Sequence, residues 1–333
     1  MLQSHFLTIL QRKRIIYFNT HGCKIAFLAV LFLFFIASNC FCYDKFIFVG
    51  GSTSKDLTQS QLQAIEDPEV KGVHVIYKWA NLEPKKDEYN FSSLREDIAF
   101  YKSKNKKIII NVAERSFDLK WGFPIPQYLQ TNEYQSGLCK QIDQISAEVF
   151  EESSVIAIIW NDSLRNRYKM LLSKIASEFD GQIFAIILEE TAIDPSDAEI
   201  IRTKFTTDKY FTAVKDIMPH AKRTFKSTQI IQLVNFFPGL NGNDYVKKIF
   251  DIAIKNKISL GGSDIVPYKK QHMENSYPLF HKYYKSIPLV AMSVQGATRS
   301  YINPKTGINF TNDEFINFGV NYLGASIIIF EVE

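Results

Sequence analysis

From Lys45 onward, short runs of aliphatic and β-branched residues alternate with longer stretches in which apolar positions recur every three or four residues. The short runs are Lys45–Val49, Gly72–Tyr77, Lys107–Val112, Gln182–Leu188, Thr228–Phe236, Ile258–Gly262, Pro288–Val294 and Ala325–Phe330. Most are apolar throughout, the pattern of strands covered on both faces. The longer stretches are Phe91–Lys104, Ser163–Phe179, Asp208–His220, Asp244–Lys255 and Thr311–Leu323. They carry the helical period, and several follow a Ser, Thr or Asp in the capping position. Regular alternation of strand and helix implies a parallel sheet with helices outside it. Eight repeats in about 290 residues predict an α/β fold, a single (β/α)8 TIM barrel over 43–333. An open doubly wound sheet is disfavoured, because no Gly-rich phosphate turn is present. The eighth strand runs to the last residues, so no eighth helix is predicted and another segment must cover that side. Gly122–Gly137 reads as a long loop after the third strand, and Cys139 as part of a helix.

Before this alternation lies a basic stretch with Arg12, Lys13, Arg14 and Lys24, followed by the 13-residue apolar run Ile25–Ala37 and the small residue Ser38. That layout is a signal peptide, which makes 1–42 a leader and the protein exported, periplasmic or extracellular. The alternative is a membrane anchor formed by residues 25–42. With the leader cleaved, no stable membrane contact is expected. Cys40 is a poor lipidation site because Asn39, not a small residue, precedes it. Cys139 is then the cysteine certain to remain in the mature body, so an exported protein would rest on its core rather than on disulfides.

Net charge is only +4, and the leader supplies much of it. No stripe of Lys and Arg interleaved with aromatics follows, which argues against a nucleic acid partner. His74, His220, His272 and His281 are scattered without metal-ligand spacing, so no cofactor or metal is expected. The sequence carries no GxSxG elbow and no evident histidine partner for Cys139, which leaves serine or cysteine nucleophiles unsupported.

Four stretches carry a family resemblance. Residues 72–94, GVHVIYKWANLEPKKDEYNFSSL, resemble the second-strand segment of the clan A glycoside hydrolases, in which a Trp followed by Leu-Glu-Pro and Tyr-Asn-Phe-Ser is common. Trp160-Asn161-Asp162 and FDGQIFAIILEETA at 179–192 are similar to the helix-three and strand-four segment of those enzymes. GGSDIVP at 261–267 ends the sixth strand and resembles a GGPD-type segment of exported barrel proteins, or is an Asx turn, and PLVAMSVQGATRSY at 288–301 occupies the seventh. The resemblance implies a carbohydrate partner and acid/base hydrolysis of a glycosidic bond.

It also implies roles. The general acid of the clan emerges from the fourth strand, where Glu190 fits best and Glu189 competes. Adjacent strand residues point to opposite faces, so a regular strand would bring only one of the two into the site. Asp264 or Glu331 would be the second carboxylate. Tyr77, Trp79, Glu189, Trp160 and Gln295 would hold the sugar, with Trp79 either a stacking platform or a buried wedge. Glu114 is a secondary candidate beside Arg115 in what reads as a solvated loop. Two departures stand out: the Asn-Glu dipeptide common in the clan is missing, with Leu188 before Glu189 and Glu189 before Glu190, and Gln295 stands where the clan places its nucleophilic glutamate. A glutamine cannot perform the retaining double displacement. The alternative is therefore a noncatalytic carbohydrate-binding barrel that has lost the nucleophile.

Overall fold

The computed structural model describes residues 43–144, 150–240 and 242–332. The leader with Cys40 and Cys42, and the choice between signal peptide and anchor, lie outside the described residues. No helix among the described residues is long and apolar enough to cross a membrane.

Eight parallel strands close a barrel. In chain order they are β1 (Asp44–Phe48), β2 (Val70–Lys78), β3 (Lys107–Ala113), β7 (Ala185–Leu188), β8 (Gln229–Leu233), β9 (Ser259–Gly262), β10 (Val290–Val294) and β11 (Ile327–Glu331). Every predicted run overlaps one of them. The remaining strands, β4 (Arg115–Ser116), β5 (Leu138–Gln144) and β6 (Phe150–Ala157), form a separate antiparallel sheet in the order β4-β6-β5. Cys139 therefore lies on β5, not on a helix. The apolar run at Val155–Ala157 belongs to this sheet, which sits between β3 and the helix Asp162–Phe179.

Strand alternation sorts the barrel residues into two cores. Phe46, Ile109, Ala185, Ile187, Ile231, Ala291, Ile327 and Ile329 fill the interior. Val73, Val75, Tyr77, Ile110, Val112, Ile186, Leu188, Ile230, Met292 and Ile328 pack outward under the helices. Gly72 is required on β2, because a Cβ there would come within 2.4 Å of both the Lys107 carbonyl and the Phe46 ring. The large Phe46 fills the space that glycine leaves.

The helices follow the sequence closely: Ser92–Ser103, Asp162–Phe179, Thr207–Thr224 and Gly242–Asn256. Asn161 and Thr206 cap two of them, accepting from Leu164 N and Lys209 N. Helix Asp162–Phe179 runs without a break because its apolar positions, from Leu164 and Tyr168 through Leu172 and Ile175 to Phe179, keep one buried face. The predicted helix Thr311–Leu323 divides into an α-helix at Asn312–Asn317 and a wide π-turn at Phe318–Tyr322. In that turn Gly319 packs against Ile265 and Ile328, whose Cδ1 atoms would lie 2.9 and 3.4 Å from a Cβ placed there. This segment supplies cover over the outer face of β11, the last element among the described residues.

Candidate active site

Parallel strands in a barrel deliver their C-terminal ends to one mouth. Here the ends of β3, β7, β8, β9, β10 and β11 bring Asn111 and Arg115, Glu189 and Glu190, Asn235, Ser263 and Asp264, Gln295, and Glu331 to that face.

The strand β7 stops at Leu188, before either glutamate. The alternation that would have turned one carboxylate away therefore no longer applies, and both reach the same guanidinium. Arg115 Nε lies 3.7 Å from Glu189 Oε2, and Nη1 lies 3.3 Å from Glu190 Oε1. The Arg115 side chain is only 2% exposed. It also donates to the carbonyls of Glu190 (2.8 Å) and Ala192 (2.9 Å), fixing the chain that follows β7. Arg115 and Glu114 are thus buried at the joint between β3 and β4, which corrects the expectation of a solvated loop.

The two neighbouring glutamates have different surroundings. Glu190 Oε2 accepts from Asn235 Nδ2 at 2.8 Å and Ser263 Oγ at 2.6 Å, while Oε1 accepts from Arg115. Three donors thus converge on this one carboxylate. Glu189 is surrounded differently: burial drives its proton affinity upward, Glu114 and Glu190 add to the effect, and Arg115 and Asn111 only partly offset it. Glu114 is raised by the same burial, and its Oε2 has no hydrogen-bond partner. Two carboxyls of the same type, adjacent in sequence, therefore sit in unlike surroundings: three donors meet Glu190, while burial lifts the Glu189 pKa to about 8.

The other predicted site residues join this centre through hydrogen bonds. Gln295 Nε2 donates to the Ser263 carbonyl at 3.0 Å, and Gln295 N donates to Thr298 Oγ1 at 3.3 Å. Asp264 Oδ1 accepts from Thr298 Oγ1 at 2.9 Å, and burial raises the affinity of Asp264 for its proton. Glu331, at the end of β11, accepts from Gly296 N through Oε2 and remains partly exposed. Ser263, Thr298 and Gly296 thus link the ends of β9, β10 and β11.

Three predicted sugar contacts lie elsewhere. On β2 the inward positions are Gly72, His74 and Ile76, so Tyr77 and the following Trp79 face the helices. Tyr77 donates its hydroxyl to Asp97. Trp79 is completely buried, donates Nε1 to Glu83 at 2.8 Å, and packs its ring 5.3 Å from that of Tyr168. Glu83 is itself buried against Arg167, which also reaches Asp87 at 2.9 Å. Of its two expected roles, Trp79 therefore has that of the buried wedge. Trp160 donates to the Thr203 carbonyl at 3.0 Å and packs edge-on against Phe205, again beneath the surface. None of these three aromatic rings is placed to stack on a ligand at the mouth.

Asn111, Arg115, Asn235 and Ser263 were not singled out as site residues from the sequence. A polar residue ending an apolar strand was the available signal for Asn111 and Asn235. Ser263 stood inside the GGSDIVP stretch, beside the Asp that was chosen.

A cleft of about 310 Å3 opens beside Glu190. Its walls come from β4 to β6 and from the loops after β7 and β8, with Arg115, Phe117, Gln141, Ser154, Ile193 and Phe236 among the residues facing it. Among the described residues, no group of His, Cys, Asp and Glu side chains could hold a metal ion.

No protein-family model matches the chain, and no curated protein is similar to it in sequence. Solved structures are. The catalytic domain of a β-amylase from Paenibacillus polymyxa matches 86% of this chain and 92% of its own, with a TM-score of 0.56 and 9% identity. Xylanase 10B from Thermotoga petrophila RKU-1, solved with xylobiose, matches over 87% and 82% at 0.51 and 10%. A β-galactosidase from Marinomonas ef1 matches over 86% of this chain but 53% of its own, at 0.53 and 8%. This chain shares its barrel fold with these three enzymes. At such identities the likeness establishes the barrel, and the chemistry of a glycoside hydrolase barrel has to be argued from the mouth residues themselves.

Proposed function

We propose that this protein is an exported, glycoside hydrolase-like barrel that cleaves a glycosidic bond with Glu189 as the general acid. The observation that carries the reading is the unequal pair at the end of β7. Burial keeps a proton on Glu189, while Arg115, Asn235 and Ser263 hold Glu190 as an acceptor. An acid that stays protonated near neutrality is what protonation of a leaving oxygen requires.

Gln295 offers no carboxylate to attack the sugar, so the reaction consistent with these residues is a single displacement. Water attacks the anomeric carbon as the bond to the leaving oxygen breaks. Glu189 gives its proton to that oxygen, and Glu331 takes a proton from the attacking water. Asp264 suits the base role less well, because burial favours its protonated form and Thr298 occupies Oδ1. Protons then return to Glu189 and leave Glu331 through solvent, and the product has inverted configuration.

The test is release of reducing ends from a panel of oligosaccharides and polysaccharides by wild type and by Glu189→Gln. Loss of about 100-fold or more in the variant, with NMR showing an inverted anomer, supports the reading. Equal activity in the two proteins, or a retained anomer, overturns it. The second reading, a noncatalytic carbohydrate-binding barrel, is favoured by the tie between Gln295 and the Ser263 carbonyl. It predicts sugar binding with no cleavage in either protein.

A further inference from the structure

Two loops stand across the mouth from the small sheet, because β10 lies four strands from β3 whichever way round the barrel is counted. The loop after β9 carries Ser263, Asp264, Tyr268 and Lys269, and the loop after β10 carries Gln295, Thr298, Tyr301 and Lys305. Near the strand ends they are joined by the bonds from Gln295 Nε2 to the Ser263 carbonyl and from Thr298 Oγ1 to Asp264 Oδ1. Farther along they exchange partners. Lys269 Nζ donates to Tyr301 Oη at 2.7 Å, and Lys305 Nζ donates to Tyr268 Oη at 2.9 Å.

Both tyrosines are open to solvent, Tyr268 by 43% and Tyr301 by 38%, and so are Ile302 and Ile308 of the second loop. Tyr268 is presented at a backbone cost. Lys269 N closes a turn on the Val266 carbonyl at 3.3 Å, with Pro267 and Tyr268 at its centre, and Tyr268 has a φ of 65°, where glycine is usual. Such strain persists where surrounding contacts hold it, and Phe310 and Phe318 pack against this ring at 6.4 and 6.0 Å. Each ammonium lies nearer the phenol oxygen than the ring centre, which is 4.6 Å away in Tyr301 and 4.2 Å in Tyr268. It sits toward the hydroxyl edge and leaves part of the ring face open. Among the described residues neither Lys269 nor Lys305 forms an ion pair, and each donates to a neutral phenol. The charge of Lys269 also reaches Asp264, the one carboxylate in either loop, whose Oδ1 is taken by Thr298.

We propose that these crossed Tyr–Lys pairs form an outer subsite of the mouth for an anionic sugar unit, carboxylated or sulfated. The apolar face of the sugar lies on a tyrosine ring, and Lys269 and Lys305 turn from the phenols to its anionic group. An ammonium bonded to a neutral oxygen gains when a carboxylate or sulfate takes that place, because both partners are then charged. Water and salt screen the gain at an exposed site, so two such contacts separate acidic from neutral sugars by about tenfold. The inference rests on the barrel acting on carbohydrate but not on its cleaving one.

Binding is measured by calorimetric titration on the full chain carrying Glu189→Gln, so that no ligand is consumed. The probes are trigalacturonate with galactotriose as its neutral counterpart, and a carrageenan tetrasaccharide, sulfated but free of carboxylate, with the agarose tetrasaccharide as its own. At about 50 mM salt at least one anionic probe is expected to bind about tenfold more tightly than its counterpart, and about 500 mM salt to erase most of that preference. The probe that binds identifies the anion. Adding Lys269→Gln and Lys305→Gln together should weaken the anionic probe by about tenfold and leave the neutral one unchanged. Should that variant fail to fold, the salt dependence of the parent chain decides. Equal binding of charged and neutral probes, no binding of either anionic probe, or a preference that survives high salt overturns the proposal. So does a lowered urea midpoint in the double lysine variant with the preference intact, the result expected of pairs that only brace the loops. Preference for an anionic probe with no cleavage by wild type would refute the hydrolase reading and leave the subsite standing; cleavage of neutral sugars with no anionic binding would do the reverse.

Discussion

Replacing Arg115 by Met, which roughly keeps the length of the side chain and removes its charge, strikes the centre of the site. The guanidinium is 2% exposed and contacts Glu189, Glu190 and two main-chain carbonyls. Removing one partner of a buried ion pair costs about 3–5 kcal/mol, because the remaining charge stays desolvated. The loss must also depend on pH. Burial already makes Glu189 bind its proton more tightly in the folded state than in the unfolded one, and without the cation that preference grows. The folded state then carries the extra proton, so stability falls as pH rises, by up to about 1.4 kcal/mol per pH unit for each such proton. Urea unfolding of wild type and Arg115→Met at about pH 6 and about pH 9.5, on either side of the wild-type Glu189 pKa of about 8, measures both quantities. The expected result is a deficit near 3 kcal/mol at the lower pH and a larger one at the higher. A deficit below about 1 kcal/mol, or one that is the same at both values, would refute the account of a buried cation bridging the Glu189 and Glu190 side chains.

Two further outcomes follow from the remaining buried polar groups. Trp79→Phe removes the donor to Glu83 and should cost about 1–3 kcal/mol in denaturant unfolding, while sugar binding measured by NMR stays as in wild type. Burial lowers the His74 pKa to about 4. Its folded value thus lies below its unfolded one, so it contributes no penalty above about pH 6.5 and destabilises as pH falls from there toward 4. His74→Phe should flatten the acid limb of a Tm-against-pH curve; an unchanged acid limb would exclude His74 as a source of that sensitivity.

The barrel was legible in the sequence because its strands are buried on both faces. IIINV at 108–112 and AIIL at 185–188 admit few other readings. The small sheet was not legible. Its strand LCKQIDQ mixes polar and apolar residues, and EESSVIAIIW joins the end of one strand to the approach of a helix without a turn signal. At the site, the sequence pointed to LEE at the end of the fourth strand, but not to how differently its two glutamates are surrounded. That depends on Arg115, Asn235 and Ser263, which come from three other strands or their loops. The aromatic residues failed for a different reason. Tyr77 and Trp79 share the parity of Val73 and Val75, and that parity faces the helices. Reading the inward set as Gly72, His74 and Ile76 would have removed both from the mouth.

A single residue, Glu114, joins β3 of the barrel to β4 of the small sheet. The guanidinium that sets the balance between Glu189 and Glu190 is carried on the first residue beyond that joint. Tilting the sheet against the barrel would move this positive charge relative to both carboxyls and so change how firmly Glu189 keeps its proton. The ionisation of Glu189 is thus a readout of the sheet's position, and anything that presses the sheet down over the cleft acts on the acid by the same lever.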